Sequence, residues 1–160
     1  MANPRYVPQL NVRASGEVVQ RVGTALGVAL PIEPNTVASI GQRSALWLGP
    51  DEWLIVDEGP LTTEDDVRAA FAPDWGAVVD VSANRVVFEV QGPTARDLLA
   101  HGCPLDLHPR VFGPGQCAQT LLARAAVILW QTDDAPTYRI LVRASFAEHL
   151  ARWLADATSA

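Results

Sequence analysis

The sequence predicts an α+β fold made of two pseudo-symmetric halves, each with the ferredoxin-like element order β-α-β-β-α. Three observations support this prediction: four amphipathic helix patterns, paired strand patterns between them, and an eight-residue segment that occurs twice. A chain of 160 residues is most simply one domain. We therefore expect residues 1–160 to form a single domain whose halves are about 8–76 and 77–157.

Four segments carry the 3.6-residue periodicity of amphipathic helices. The first is 17–26, and the second begins at Thr62 or Thr63, whose hydroxyl can cap a helix start. The third begins at Pro93, a favoured first-turn residue, and the fourth begins at about Ser145. The residues expected to face inward are Val18, Val19, Val22, Ala25, Leu26, Val67, Ala70, Phe71, Ala95, Leu98, Leu99, Phe146, Leu150, Trp153 and Leu154.

Strand patterns lie between the helices and suggest three hairpins. The expected strand pairs are 45–48 with 52–56, 77–82 with 85–90, and 119–130 with 137–142. The first pair is joined by Gly49-Pro-Asp51, a sequence typical of a tight turn. The last pair is joined by a polar loop.

An internal repeat connects the two halves. Residues 27–34 read GVALPIEP and residues 102–109 read GCPLDLHP, so both share a glycine, a leucine, an aliphatic residue and a proline in the same frame. Chance can produce four matches in eight positions. Each copy also follows a helix pattern and leads through a glycine-containing loop into a hairpin, and this shared order favours duplication.

Composition excludes several function classes. The net charge of −6 comes from scattered acids, which argues against a nucleic-acid partner. All twelve basic residues are arginine, so a Schiff-base or P-loop lysine is excluded. The arginines could reflect a need for bidentate contacts to carboxylates or phosphates, or only the codon bias of a genome.

Features that report on the compartment favour the cytoplasm. Cys103 and Cys117 have the spacing of neither a redox pair nor a zinc knuckle, and two reduced, buried thiols are expected, with a disulfide as the alternative. The first ten residues lack the basic start and apolar core of a signal peptide. The longest apolar run, 125–130, is far too short to span a bilayer.

Two segments could be taken for catalytic or phosphate-binding motifs. Asp80 and Ser82 lie on one face of the expected strand, but a serine beside an aspartate without a partnered histidine is not a nucleophile. Residues 112–116 read FGPGQ and could be imagined as a phosphate cradle. They lead into a strand and not into a helix start, so a simple turn is favoured.

Other polar groups also have simpler structural interpretations. The acid pairs 51–52 and 133–134 fall in turns, where aspartate bonds to the local backbone. His101, His108 and His149 are isolated and form no metal set. From the residues alone we predict no catalytic, no cofactor-binding and no metal-ligating residue in this chain.

Several segments resemble one known family, over about residues 45–157. The similar segments are Gly49-Pro-Asp-Glu-Trp-Leu54, Asp80-Val-Ser82, 92–99, 103–115, 119–122 and 138–146. Together they are similar to the gamma subunit of heterotetrameric sarcosine oxidase. That family is related to the folate-binding domain of the glycine-cleavage aminomethyltransferase, and the resemblance implies the same fold. Where the transferases carry an aspartate pair, one of them catalytic, this chain has Leu129 and Trp130.

The resemblance implies a role in a larger complex. The complex would oxidise sarcosine to glycine, pass the one-carbon unit to tetrahydrofolate and produce hydrogen peroxide. FAD, FMN and NAD would be held by other subunits, and the partners would be the alpha subunit above all, with beta and delta. We expect a cytoplasmic, non-catalytic subunit with no active site of its own. The alternative is a stand-alone folate-binding or aminomethyltransferase-like one-carbon protein.

A subunit of this kind should also show an exposed apolar patch, because permanent subunits bury hydrophobic surface. Five tryptophans are many for a chain of this length. Trp47, Trp53 and Trp130 fall in the expected hairpins, and tryptophan is common at interfaces. We therefore predict that the hairpin tryptophans lie at the edge of such a patch.

Overall fold

The computed structural model describes residues 4–59 and 64–158. The chain forms two compact units. One unit is Val7–Ser82, and the other contains the residues after Ser82 together with the segment before Val7. The single domain expected from chain length stays a prediction.

The unit Val7–Ser82 contains a five-stranded antiparallel sheet with the strand order β2-β3-β4-β1-β5. Two helices and a short 3-10 turn, Ala69–Phe71, accompany the sheet. The elements in chain order are β1 Gln9–Arg13, α1 Val18–Leu26, β2 Val37–Ile40, β3 Arg43–Gly49, β4 Glu52–Asp57, α2 Glu64–Arg68 and β5 Ala77–Asp80.

Helix α1 forms where the sequence predicts it, because Val18, Val22 and Leu26 repeat at every fourth position and are buried. Gly27 ends the helix with a φ of 68°, a left-handed conformation that glycine adopts without strain. Ala25 was expected to face inward, but it is exposed. Gly23 is buried in its place, because this face packs closely against the chain that follows the helix.

The second unit contains a four-stranded antiparallel sheet with the order β6-β9-β8-β7. Outside this sheet, Arg5 forms an isolated bridge to Val87. A 3-10 turn, Ala144–Phe146, precedes the last helix. The elements are β6 Arg85–Gln91, α3 Ala95–Ala100, β7 Gln116–Leu122, β8 Ala125–Asp133, β9 Thr137–Arg143 and α4 Ala147–Thr158.

The two units share one topology. Each contains the order β-α-β-β-β-α, which β5 follows in the unit Val7–Ser82, and the sheet neighbours β2-β3-β4-β1 in one unit correspond to β7-β8-β9-β6 in the other. The predicted α+β class is confirmed, but the unit Val7–Ser82 contains two strands more than the three expected in each half, and the other unit contains one more. The common topology supports the duplication inferred from the repeated segment.

Two strand predictions are wrong. Strands β5 and β6 do not form a hairpin, because β5 pairs with β1 and β6 pairs with β9 in a different sheet. The expected strand 119–130 is divided into β7 and β8 by a two-residue turn at Ala123 and Arg124, whose φ values are 50° and 68°. A tight hairpin turn of this hand usually contains asparagine or glycine, and their absence hid it from the sequence.

The helix predictions outside α1 are largely confirmed. Val67, Phe71, Ala95, Leu99, Leu150 and Leu154 are buried as expected. Leu98, Trp153, Val19 and Ala70 are only partly buried, and Phe146 is 45% exposed because it lies in the 3-10 turn before α4. Thr62 and Thr63, the expected caps of α2, lie outside the described residues.

Each unit has its own hydrophobic core, formed by the helix-facing side chains of its sheet and the inner faces of its helices. Burial of this apolar surface is the main stabilising contribution to each unit. In the described ranges, no helix is long and apolar enough to cross a membrane.

Candidate interaction groove

The unit Val7–Ser82 carries a groove of about 1070 Å³ beside helix α1. Its walls are α1, the loop between α1 and β2, and the ends of β2, β3 and β4. We call this the α1 groove. Its main apolar lining residues are Val19, Leu30, Ile32, Ile40, Trp47 and Trp53. The size and apolar lining are typical of a binding site and not of an ordinary surface crevice.

The loop that forms one wall of the groove is fixed by specific hydrogen bonds. The indole Nε1 of Trp53 donates to the Pro31 carbonyl at 2.8 Å. The Thr36 hydroxyl donates to the Glu33 carbonyl at 2.7 Å, and Asn35 adopts a φ of 61° between them. These contacts make the wall a defined surface.

An ion pair fixes the end of α1 beside the loop. Arg43 on β3 pairs with the nearly buried Asp57 on β4 at 2.6 Å and also donates to the Leu26 carbonyl at the end of α1. A charge-assisted pair with additional hydrogen bonds is among the stronger polar contacts in proteins. The helix, the strands and the loop are therefore connected within one unit.

The groove exposes aliphatic side chains to water. Ile32 is 84% exposed and Ile40 is 62% exposed, although both line the groove. Single exposed aliphatic residues are ordinary, but two of them around one apolar concavity make it a candidate interaction site. The sequence did not reveal either residue as exposed. Ile32 occupies the aliphatic position of the repeated segment 27–34, and an aliphatic residue in such a segment is usually buried.

The structure places the three hairpin tryptophans in different surroundings, and their role at a docking patch stays a prediction. Trp47 is half-buried and lines the α1 groove. Trp53 is only 1% exposed and acts through its bond to the loop, while Trp130 is 5% exposed and lies in the other unit. Both are largely core residues because their strands are central in their sheets. Trp75, which the sequence analysis did not single out, is 94% exposed.

The Asp80 and Ser82 pair forms a local turn. The Ser82 hydroxyl donates to Asp80 Oδ1 at 2.6 Å, and the Ser82 backbone N–H donates to the same oxygen at 2.8 Å. These two bonds lower the pKa of Asp80. The Ser82 oxygen also accepts the Gln9 N–H at 2.9 Å, so the motif ties the end of β5 to β1.

The acid pairs are engaged in turn contacts. Arg13 bonds both acids of the first pair, at 3.3 Å to Asp51 and 2.7 Å to Glu52. In the second pair, Asp133 accepts the backbone N–H groups of Ala135 and Thr137 at 2.9 and 3.0 Å. Its slight burial raises the pKa of Asp133, but these bonds outweigh that and leave the pKa below its usual value.

The histidines and cysteines have separate local environments. His101 contacts the Asp97 carbonyl, His149 contacts the Ala123 carbonyl, and the His108 ring accepts the Arg110 N–H. Both cysteines are free and buried. Among the described residues, no three His, Cys, Asp or Glu side chains lie in an arrangement that could hold a metal ion.

The two residues that the resemblance sets against the aspartate pair of the transferases, Leu129 and Trp130, lie on a central strand of their sheet. Leu129 is 1% exposed and belongs to the core of its unit. Trp130 follows on β8, and the Arg139 guanidinium lies 5.0 Å from its ring centroid, within the range of a cation–π contact. This arrangement buries apolar surface and offers no proton donor or acceptor at these two positions.

Comparison with known proteins gives the family. Residues 13–160 match the family described as Sarcosine oxidase, gamma subunit family. The chain is 43% identical over 159 residues to the sarcosine oxidase subunit gamma of Corynebacterium sp. (strain U-96), covering 96% of this chain and 76% of that protein. This chain belongs to the sarcosine oxidase gamma subunit family. The corresponding subunit of Corynebacterium sp. (strain P-1) is 42% identical over 158 residues, with 96% and 77% coverage.

Solved structures agree with the assignment of this chain to the gamma subunit family. A chain of the heterotetrameric sarcosine oxidase from Corynebacterium sp. U-96, in complex with pyrrole 2-carboxylate, matches with a TM-score of 0.92 and 39% identity. That match covers 99% of this chain and 83% of the other. The glycine cleavage system aminomethyltransferase T of Bartonella henselae matches with a TM-score of 0.66 and 13% identity, over 93% of this chain and 43% of that one. The second match shows that this chain has the same fold as the transferase.

Proposed function

We propose that this chain is the gamma subunit of a heterotetrameric sarcosine oxidase and that its role is structural. The observation that carries the proposal is the match to a chain of a solved heterotetrameric sarcosine oxidase, at 39% identity over 99% of this chain. Similarity at this level over a whole chain supports a shared place in the assembly. The complex would oxidise sarcosine to glycine, pass the one-carbon unit to tetrahydrofolate and produce hydrogen peroxide.

The polar residues of the chain support a structural role. Ser82 holds the end of β5, Asp133 closes a turn, and His149 bonds to a backbone carbonyl. A catalytic nucleophile requires a general base within hydrogen-bond reach, and Ser82 instead donates to a carboxylate whose lowered pKa makes it a weaker base. We propose that the chemistry belongs to other subunits.

Among the described residues, neither the glycine loop 112–116 nor the α1 groove fits FAD, FMN or NAD. The glycine loop 112–116 leads into β7 and not into a helix whose N-terminus could face a pyrophosphate. The α1 groove has Glu17 in its lining, and a carboxylate there repels phosphate. We therefore assign the FAD, FMN and NAD of the complex to its other subunits and derive no step through them here.

The partners we propose are the alpha subunit above all, with beta and delta. An obligate subunit interface is more hydrophobic than an ordinary surface, and the α1 groove supplies such a surface. We also propose a cytoplasmic location, because both cysteines are free thiols and reduced cysteines persist in the cytoplasm.

Co-expression tests this proposal. An affinity-tagged copy of this chain is produced together with alpha-, beta- and delta-type subunits, and the captured material is passed through size exclusion at micromolar concentration. We expect all four chains to elute together and to produce hydrogen peroxide when sarcosine is added. Elution of this chain as a separate monomer, with the other three active without it, would overturn the proposal.

A further inference from the structure

The two repeats differ at one corresponding position. In the repeated segment, Ile32 of the first copy corresponds to Leu107 of the second. Leu107 is 3% exposed and belongs to the core of its unit, whereas Ile32 is 84% exposed. The same position in the repeat is therefore buried in one unit and open to water in the other.

The loops that follow explain this difference. After Leu107 the second copy continues to Phe112, which is 6% exposed and joins the same core. After Ile32 the first copy reaches β2 within a few residues, through Pro34 and Asn35. In the second unit, therefore, the aliphatic residue and an aromatic residue from the following loop belong to one core, whereas in the first unit Ile32 lines the α1 groove.

The charge around the α1 groove indicates what could cover it. Glu17 lines the groove, and Glu33 lies between the lining residues Ile32 and Pro34. Neither carboxylate forms an ion pair within the described part of the chain. By contrast, Arg13, Arg21 and Arg43 of this unit are each paired with an acid. The groove thus has apolar walls and, among the described residues, one unpaired carboxylate in its lining, Glu17, with a second, Glu33, beside the lining residues in the chain.

We propose that the α1 groove binds a segment of another subunit that carries a bulky apolar side chain flanked by arginine or lysine. The apolar side chain would cover Ile32 and Ile40, as Phe112 helps to enclose Leu107 in the other unit. The basic residues would pair with Glu17 and Glu33. A groove of about 1070 Å³ accommodates several side chains, so the segment is a length of chain and not one residue. The inference rests on the proposed function and names the contact surface within it.

The first test uses variants of the exposed groove residues in the co-expressed complex. Ile32→Glu and Ile40→Glu place a charge in the groove, and the matched control is Val111→Glu, an aliphatic residue 58% exposed in the other unit. Because all three side chains are exposed, we expect unchanged circular dichroism and melting temperature. Affinity for the remaining subunits should fall by about tenfold or more for the groove variants and change by less than about twofold for the control.

The second test concerns charge. Glu17→Arg combined with Glu33→Arg should weaken association at low salt, and the loss should shrink as salt is raised, because screening reduces repulsion between exposed charges. If the double variant shows wild-type affinity and wild-type salt dependence, the proposal that the segment is basic is overturned. The control is Asp74→Arg, since Asp74 already pairs with Arg21 away from the groove lining.

The outcomes separate this inference from the proposed function. If wild-type chain assembles and Ile32→Glu and Ile40→Glu assemble equally well, the groove is not the contact surface and the inference fails while the proposed function stands. If wild-type chain does not assemble at all, the proposed function fails. If Ile32→Glu instead breaks a self-association of this chain seen by sedimentation, the occupant is a second copy and the inference is overturned.

Discussion

Trp53 donates its indole hydrogen to the Pro31 carbonyl at 2.8 Å, which joins strand β4 to the loop that forms one wall of the α1 groove. Trp53 is only 1% exposed, so its ring fills the core while its polar edge reaches the loop. Tryptophan suits this position because it combines a large apolar surface with one donor. The exposed Ile32 follows Pro31 directly, so this bond fixes the residue on which the docking proposal depends.

Trp53→Phe should destabilise the chain by about 1–3 kcal/mol, because it removes the donor and leaves the Pro31 carbonyl without its partner. Denaturant unfolding measures the change. The matched control is Trp75→Phe, whose side chain is 94% exposed and whose replacement should stay within about 0.5 kcal/mol. Equal effects of the two substitutions would show that the Trp53 bond contributes nothing.

Ser82→Ala should destabilise the chain in a pH-dependent way. The Ser82 hydroxyl lowers the pKa of Asp80, so its contribution is present above the unfolded pKa of an aspartate, about 4, and is lost as pH falls through the lower folded pKa. We expect the difference in unfolding free energy between wild type and variant to be largest near neutral pH and to narrow on acidification. NMR titration of the Asp80 carboxyl checks the direction of the shift. A stability difference that is constant with pH would contradict the account.

Leu129→Asp should unfold the chain or destabilise it by more than about 4 kcal/mol, because an unpaired carboxylate would enter the core of its unit. Leu129→Met keeps the volume and the apolar character, and should cost less than about 1.5 kcal/mol. Thermal unfolding of both variants measures the difference. A folded Leu129→Asp chain with wild-type stability would show that this core position can accept an acid, and would contradict the prediction.

Tetrahydrofolate at about 1 mM should leave the melting temperature of the isolated chain unchanged. A ligand that bound only the folded state would raise the melting temperature, so an unchanged value indicates that folate does not bind. The physical reason is charge: folate carries carboxylates, the α1 groove has Glu17 in its lining, and Glu33 lies next to lining residues in the chain. A concentration-dependent rise of several degrees would favour the alternative of a stand-alone folate-binding protein.

Much of the fold could be read from the sequence because its patterns are local. The periodicity of α1 and the turn at residues 49–51 placed a helix and a hairpin correctly. The turn at Ala123 and Arg124 could not be read, since neither residue signals a positive φ. Strand β5 was assigned to the wrong neighbour because pairing across a sheet depends on contacts between residues far apart in the chain, here with β1.

The candidate groove was harder to predict than the fold. Apolar residues in a repeat are expected to be buried, and the sequence of Ile32 gives the same signal as that of Leu107. The burial of the two residues differs because of the loop that follows each. The second copy has Phe112 in this loop, and the first copy has no corresponding aromatic residue before β2. Of the hairpin tryptophans, Trp47 lines the groove, whereas Trp53 and Trp130 are buried because their strands are central in their sheets.

Whether this chain is a subunit of the oxidase is decided by native mass spectrometry of the chain co-expressed with alpha-, beta- and delta-type subunits, because it counts each subunit in the assembled complex. We expect one species that contains this chain once together with the other three and that produces hydrogen peroxide from sarcosine. A three-subunit species with full activity, and this chain detected only as a monomer, would contradict it.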